Sequence, residues 1–161
     1  MITVGQHFPK TIALKKVESG VIQDFSTEEL AKGRCILFAV PGAFTPTCSI
    51  QHLPSYIRKR DDLKAKNVDY VFCLAVNDPF VLQAWAKEHD ITDDRIIFLA
   101  DGSALLTKAL GMELDLTSLG LGVRSKRYVM VIDDGIVTHL FVEENAGVCE
   151  LSSADSLFEK I

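Results

Sequence analysis

Cys48 is the residue in this chain best placed to do chemistry. It closes the run Thr45-Pro46-Thr47-Cys48. There Thr45 suits a helix N-cap, and Pro46 suits the first helical position, where a missing N–H is no loss. Cys48 then falls in the first turn, beside unpaired backbone N–H groups and the positive end of the helix dipole. A thiol at such a place has its thiolate favoured, with pKa values of about 3.5–7.5. The Thr45 hydroxyl, three residues earlier, can point at the sulfur or at whatever approaches it, and Pro41 can shield the thiolate from bulk water. Those four residues alone fit an inert, packed cysteine equally well, because cysteine is among the most buried residue types.

The elements that must hold Cys48 are legible on either side. Cys35–Val40 is a short apolar run of the kind found in strands buried on both faces, and Pro41-Gly42 stops it. Reactive groups in open α/β sheets gather beyond the carboxyl ends of strands, which is where Cys48 falls. A helical pattern then runs from Pro46 to Lys66 with Leu53, Tyr56, Ile57 and Leu63 on one face. Pro54 predicts a kink or a break into two short helices.

The rest of the chain alternates in the same style. Residues 1–25 read as a small hairpin or a pair of edge strands, and Ser26-Thr-Glu-Glu29 as a capping box before a short helix that Gly33 closes. Asp69–Val76 and Ile96–Ala100 are further strands. Asn77-Asp78-Pro79 opens a helix over Phe80–His89, and a helix follows at Ser103–Leu110. Residues 112–124 read as loop. Tyr128–Ile132 and Ile136–Val142 are strands joined through Asp133-Asp-Gly135, and a helix from about Ser153 to Ile161 finishes the chain. Alternating short units imply parallel strands, and the Asp-Gly turn implies an antiparallel edge, so the class is α/β.

At 161 residues the expectation is one domain spanning 1–161. A formal charge of −5 gives no basic footprint for nucleic acid. The longest uncharged apolar stretch, from Cys35 to Phe44, is too short to cross a bilayer, and the N-terminus lacks the regions of a signal peptide, so a cytoplasmic address is expected. Cysteines 35, 48, 73 and 149 contain no CxxC, and the four histidines lack ligand spacing, so no metal is expected. In a reducing compartment, free and reactive thiols are the better reading.

Pro41-Gly-Ala-Phe-Thr45-Pro-Thr-Cys48 resembles the P-x-x-x-T-x-x-C active-site loop of peroxiredoxins. With His52-Leu53-Pro54 following, it looks like the type V branch, called type II in plants. Gly122-Val-Arg124-Ser-Lys-Arg127-Tyr128 and Val76-Asn-Asp-Pro-Phe80 extend the resemblance over nearly the whole length. It implies a thioredoxin-like sandwich, a central mixed β-sheet flanked by helices. It also implies a thiol peroxidase for hydrogen peroxide and alkyl hydroperoxides that needs no cofactor, in a homodimer.

By the same resemblance Cys48 is the attacking thiol, assisted by Thr45, Pro41 and Arg127, whose planar guanidinium can hold both thiolate and peroxide oxygen. Backbone N–H groups of Thr47 and Cys48 would stabilise developing charge. Arg124, and His52 one helical turn beyond Cys48, are supporting candidates. Cys73 occupies the place of a second redox cysteine in plant-type relatives. Cys149 lies in the region of a resolving cysteine in some animal ones, though its surroundings match poorly. Glutathione or glutaredoxin, or else thioredoxin, would regenerate the thiol. The competing readings are a thioredoxin-like redox sensor or chaperone without turnover, and a disulfide reductase, which the missing CxxC disfavours.

Overall fold

The computed structural model describes residues 1–161. Seven strands form one mixed sheet in the order β2-β1-β5-β4-β3-β8-β9. Its centre is three parallel strands, β3 (Arg34–Val40), β4 (Tyr70–Ala75) and β5 (Ile97–Ala100). The hairpin of β1 (Ala13–Glu18) and β2 (Val21–Ser26) runs antiparallel to β5. On the other side, β8 (Tyr128–Asp133) runs antiparallel to β3 and carries β9 (Ile136–Val142) at the edge. The mixed sheet flanked by helices agrees with the sequence reading, and the five apolar strands β3, β4, β5, β8 and β9 match it to within one residue at either end.

Each face of the sheet has its own core, because successive residues of a strand point to opposite sides. Ile36, Phe38 and Val40 of β3 face the layer of α1 (Leu53–Ala65), α2 (Pro79–Glu88) and α4 (Ala154–Phe158), and that layer also holds Cys48 and Cys73. Cys35, Leu37 and Ala39 face the other side, against Leu30 and against Leu106 of α3 (Leu105–Ala109). Cys35 is therefore packing on the face away from Cys48, and burial pushes its thiol up to about 12.

Three local expectations need correction. Residues 112–124 are not loop: β6 (Glu113–Leu116) and β7 (Gly122–Ser125) form a separate hairpin around a short 3-10 turn at Thr117–Leu119. Four-residue strands whose only half-buried apolar side chains are Leu114 and Leu116 carry too short an alternation to stand out. The Ser26 cap is real, but it accepts from Glu28 N–H and opens a single 3-10 turn, Thr27–Ala31. The closing helix ends at Phe158 rather than running to Ile161.

Candidate active site

The site forms where the Pro46–Ala65 helical segment leaves β3. Its first helical hydrogen bond runs from Ser49 N–H to Thr45 O, so the N–H groups of Thr47 and Cys48 lie ahead of it, as the sequence implied. The Thr45 side chain, however, caps nothing: its hydroxyl donates to Gly42 O at 2.6 Å, which pins the loop and leaves the oxygen's lone pairs to accept. The expected interruption at Pro54 takes the form of a change of winding: Cys48–His52 is a π-turn, with Leu53 N–H donating to Cys48 O, just where the proline ring would clash with the carbonyl four residues back, and α1 takes over at Leu53.

Cys48 is fully buried, and a charge reaches its sulfur: Arg127 Nη2 donates to Sγ at 3.2 Å. Arg127 sits just before β8, and its backbone O accepts from Glu143 N–H, which extends the β8–β9 ladder by one step. Arg127 is only 2% exposed, and its guanidinium makes four donor contacts within the protein. Nε and Nη2 both donate to Ala146 O at 3.0 and 2.9 Å, Nη2 also to Cys48 Sγ, and Nη1 to His52 Nδ1 at 2.9 Å. A buried guanidinium aimed at a thiol makes a charge-assisted hydrogen bond that is strongest when the sulfur is anionic.

His52 is fully buried and serves Arg127 rather than the thiol. Its Nε2 lies 3.0 Å from Ser152 O, a carbonyl that only accepts, so Nε2 carries the hydrogen and Nδ1 is free to accept from Arg127. Burial first, and then the neighbouring guanidinium, push the imidazole down to about 3, against a weaker opposing pull from Ser152 O. It is neutral at any ordinary pH.

Arg124 reaches the site from the β6–β7 hairpin. Its Nε donates to Leu121 O at 2.9 Å and Nη1 to Pro41 O at 3.4 Å, so it ties the hairpin to the buried end of the Pro41–Thr45 loop. A Cβ at Gly42 would come within 2.8 Å of Arg124 Nη1, so this tie requires glycine there. Asn77 Oδ1 accepts from Ala43 N–H at 3.0 Å and fixes the loop from its other side.

The structure thus brings together Cys48, Arg127, His52, the Pro41–Thr45 loop and Arg124. Cys73 and Cys149 stand nearby without joining: all four cysteines are free. Cys73 is buried in β4, and burial first, then Cys48, pushes its thiol well above the usual range. Cys149 is half-buried in the loop before α4, and burial raises it too. No group of three or more His, Cys, Asp or Glu side chains is placed to hold a metal ion.

In the segment 143–152 the sequence reading saw Cys149 and missed the backbone that frames the site. Ala146, Gly147 and Ser152 act through backbone carbonyls, which leave no side-chain signature. Tyr56 entered only as one of the apolar residues on a helix face, and Glu143 did not enter at all.

With that geometry in view, the comparisons are consistent. The redoxin family model matches residues 3–158, so the chain belongs to that family. It is 45% identical to Peroxiredoxin-2B of Arabidopsis thaliana over 99% of this chain and 98% of that one. It is 44% identical to the chloroplastic Peroxiredoxin-2E-2 of rice, covering 99% and 72%. Among solved structures, reduced Prx3 of Vibrio vulnificus in complex with hydrogen peroxide superposes with a TM-score of 0.89 at 44% identity, covering 99% and 96%. The protein is a peroxiredoxin of thioredoxin-like fold, a thiol-dependent peroxidase.

Proposed function

We propose that Cys48 is the thiol that meets the peroxide, with Arg127 as its electrostatic partner. The observation that carries this is the buried Arg127 Nη2–Cys48 Sγ contact of 3.2 Å at the head of a helix. The thiolate attacks the terminal oxygen of ROOH. An S–O bond forms, the O–O bond breaks, sulfur is oxidised to sulfenic acid, and RO⁻ takes a proton to leave as alcohol, or as water when R is hydrogen. Arg127 and the Thr47 and Cys48 N–H groups stabilise the charge moving along the three reacting atoms, while the Thr45 lone pairs accept the hydrogen of the attacked oxygen. Pro41, buried beside them, keeps bulk water out.

The substrates in this reading are hydrogen peroxide and alkyl hydroperoxides, and the reductant is a small external thiol such as glutathione, or glutaredoxin. Burial of Cys73 in β4 supports the external route, since a disulfide needs Cα atoms within about 7 Å and side chains turned toward each other. One equivalent of peroxide added to reduced protein, followed by glutathione and thiol mapping by mass spectrometry, tests it. Sulfenic or glutathionylated Cys48 is the expected product. A quantitative Cys48–Cys149 or Cys48–Cys73 bond formed ahead of glutathione would make thioredoxin the better reductant. Turnover with a thiol donor also separates the enzyme from a sensor or chaperone.

Two further readings complete the proposal. Four free cysteines suit a reducing compartment such as the cytoplasm. A homodimer is supported by the exposed Phe44 and Phe80, which the Ala43–Asn77 bond places on adjoining segments. Sedimentation of wild type against Phe80→Glu tests the dimer.

A further inference from the structure

We propose that Glu143 is a positioning residue: its buried carboxylate clasps the 144–152 loop, and the loop carbonyls aim Arg127 at Cys48. This rests on the roles assigned above to Cys48 and Arg127.

Glu143 is 7% exposed and makes no salt bridge with a lysine or arginine. One oxygen, Oε1, accepts three hydrogen bonds of 2.8 Å, from Glu150 N–H, Ser152 N–H and the Ser152 hydroxyl. Three donors converging on one buried oxygen is an arrangement that a carboxylate satisfies far better than a neutral acceptor. Those bonds tie Glu143, at the head of the loop, to residues seven and nine positions further on. The other bonds within the loop are local: Asn145 accepts from the N–H groups of Gly147 and Val148, and Cys149 Sγ lies 3.9 Å from Ser152 Oγ.

What the loop presents to the site is a row of carbonyls. Ala146 O takes both Nε and Nη2 of Arg127. Gly147 O accepts the Thr47 hydroxyl at 3.0 Å. Ser152 O takes His52 Nε2–H and the Tyr56 hydroxyl, at 3.0 and 2.7 Å, and so sets the His52 tautomer that accepts from Arg127 Nη1. Apart from the sulfur itself, the guanidinium's acceptors are thus Ala146 O, which the loop carries, and His52 Nδ1, on a ring that the loop holds through Ser152 O. Packing does not substitute for it: a cavity of about 290 Å³ lies against Arg127 on this side, walled by Leu114, Lys126 and Glu144 among others. Glu143 touches neither the thiol nor any reacting atom and acts only through these carbonyls.

The test compares Glu143→Ala, Glu143→Gln and, as control, the neighbouring Glu144→Ala. Three readings are made on reduced protein: thiolate absorbance of Cys48 against pH, the second-order rate with hydrogen peroxide, and amide exchange at Glu150 and Ser152. Glu143→Ala should move thiolate formation to higher pH and slow the peroxide step roughly 10–100-fold, the loss that misplacing a catalytic group by about 1 Å brings. Glu143→Gln keeps an acceptor at the same place but loses the charge, so its rate should lie between those of Glu143→Ala and wild type, a few-fold below wild type. Glu144→Ala should match wild type in all three. If Glu143→Ala proves too unstable to assay, Glu143→Gln decides alone. Faster exchange at Ser152 with a rate at least a few-fold lower supports the clasp. Faster exchange with an unchanged rate and titration overturns it, as does an unaltered titration in folded Glu143→Ala. The thiolate titration needs no peroxide, so this outcome stays separate from any failure of the peroxidase assignment.

Discussion

Acid should destabilise this protein through one imidazole. The His52 side chain is held down to about 3 in the fold, against 6.5 when unperturbed. Between those values the unfolded chain binds a proton that the native state refuses, so stability rises with pH there and is lost as the pH falls from about 6.5 towards about 3. At about pH 4 the unfolded histidine has been protonated over some two and a half pH units of driving force. That costs the native state about 3 kcal/mol relative to about pH 7. It is a large fraction of a typical domain stability of roughly 5–15 kcal/mol. Carboxylates and His89 titrate as well, so the comparison must be differential. Urea unfolding of wild type and His52→Gln at both pH values removes the common background, since glutamine keeps a donor toward Ser152 O and does not titrate. Wild type should lose about 3 kcal/mol more than the variant on acidification, the amount worked out above. Parallel losses in the two proteins would refute the buried, neutral imidazole.

Other consequences are equally direct. Arg127→Met keeps bulk but removes the charge beside Cys48, so peroxide reduction should slow by about 10²–10³, the cost of losing one transition-state donor. Arg124→Met, which loses only the tie to Pro41 O, should slow it much less in the same stopped-flow assay. Tyr56→Phe removes the hydroxyl bond to Ser152 O but preserves the stacking on Phe38, and should cost about 0.5–1.5 kcal/mol in urea unfolding. Cys35→Ser, on the far face of β3, should leave the peroxide rate near wild type while lowering stability.

Much of this architecture was legible because the strands are apolar in blocks and bounded by Pro, Gly and Asp. β3, β4 and β8 are buried on both faces, so their composition alone marks them. The β6–β7 hairpin escaped because its strands are short and half-exposed, giving no sustained period. At the site, Cys48 announced itself through the strand stop and the Thr-Pro helix start, which are local signals. Arg127 is 79 residues away and entered only through the family motif. His52 was in view as a neighbour of Cys48. Its partner on the other side is Ser152 O, 100 residues on, and no local pattern reveals a carbonyl. The π-turn at Cys48–His52 was half visible: Pro54 demanded a local interruption, and the widened turn ahead of α1 is the form it took.

The central claim is that Cys48, held against Arg127, is the sulfur that takes the peroxide oxygen. Reduced wild type and Cys48→Ser should each receive one equivalent of hydrogen peroxide, with peroxide loss followed in time and every cysteine peptide weighed after trapping of sulfenic acid. The wild type should consume the peroxide rapidly, with the added oxygen at Cys48 before any other residue. Cys48→Ser should consume it no faster than a free thiol does. Wild-type consumption by Cys48→Ser, or first oxidation at Cys73 or Cys149, would contradict the account.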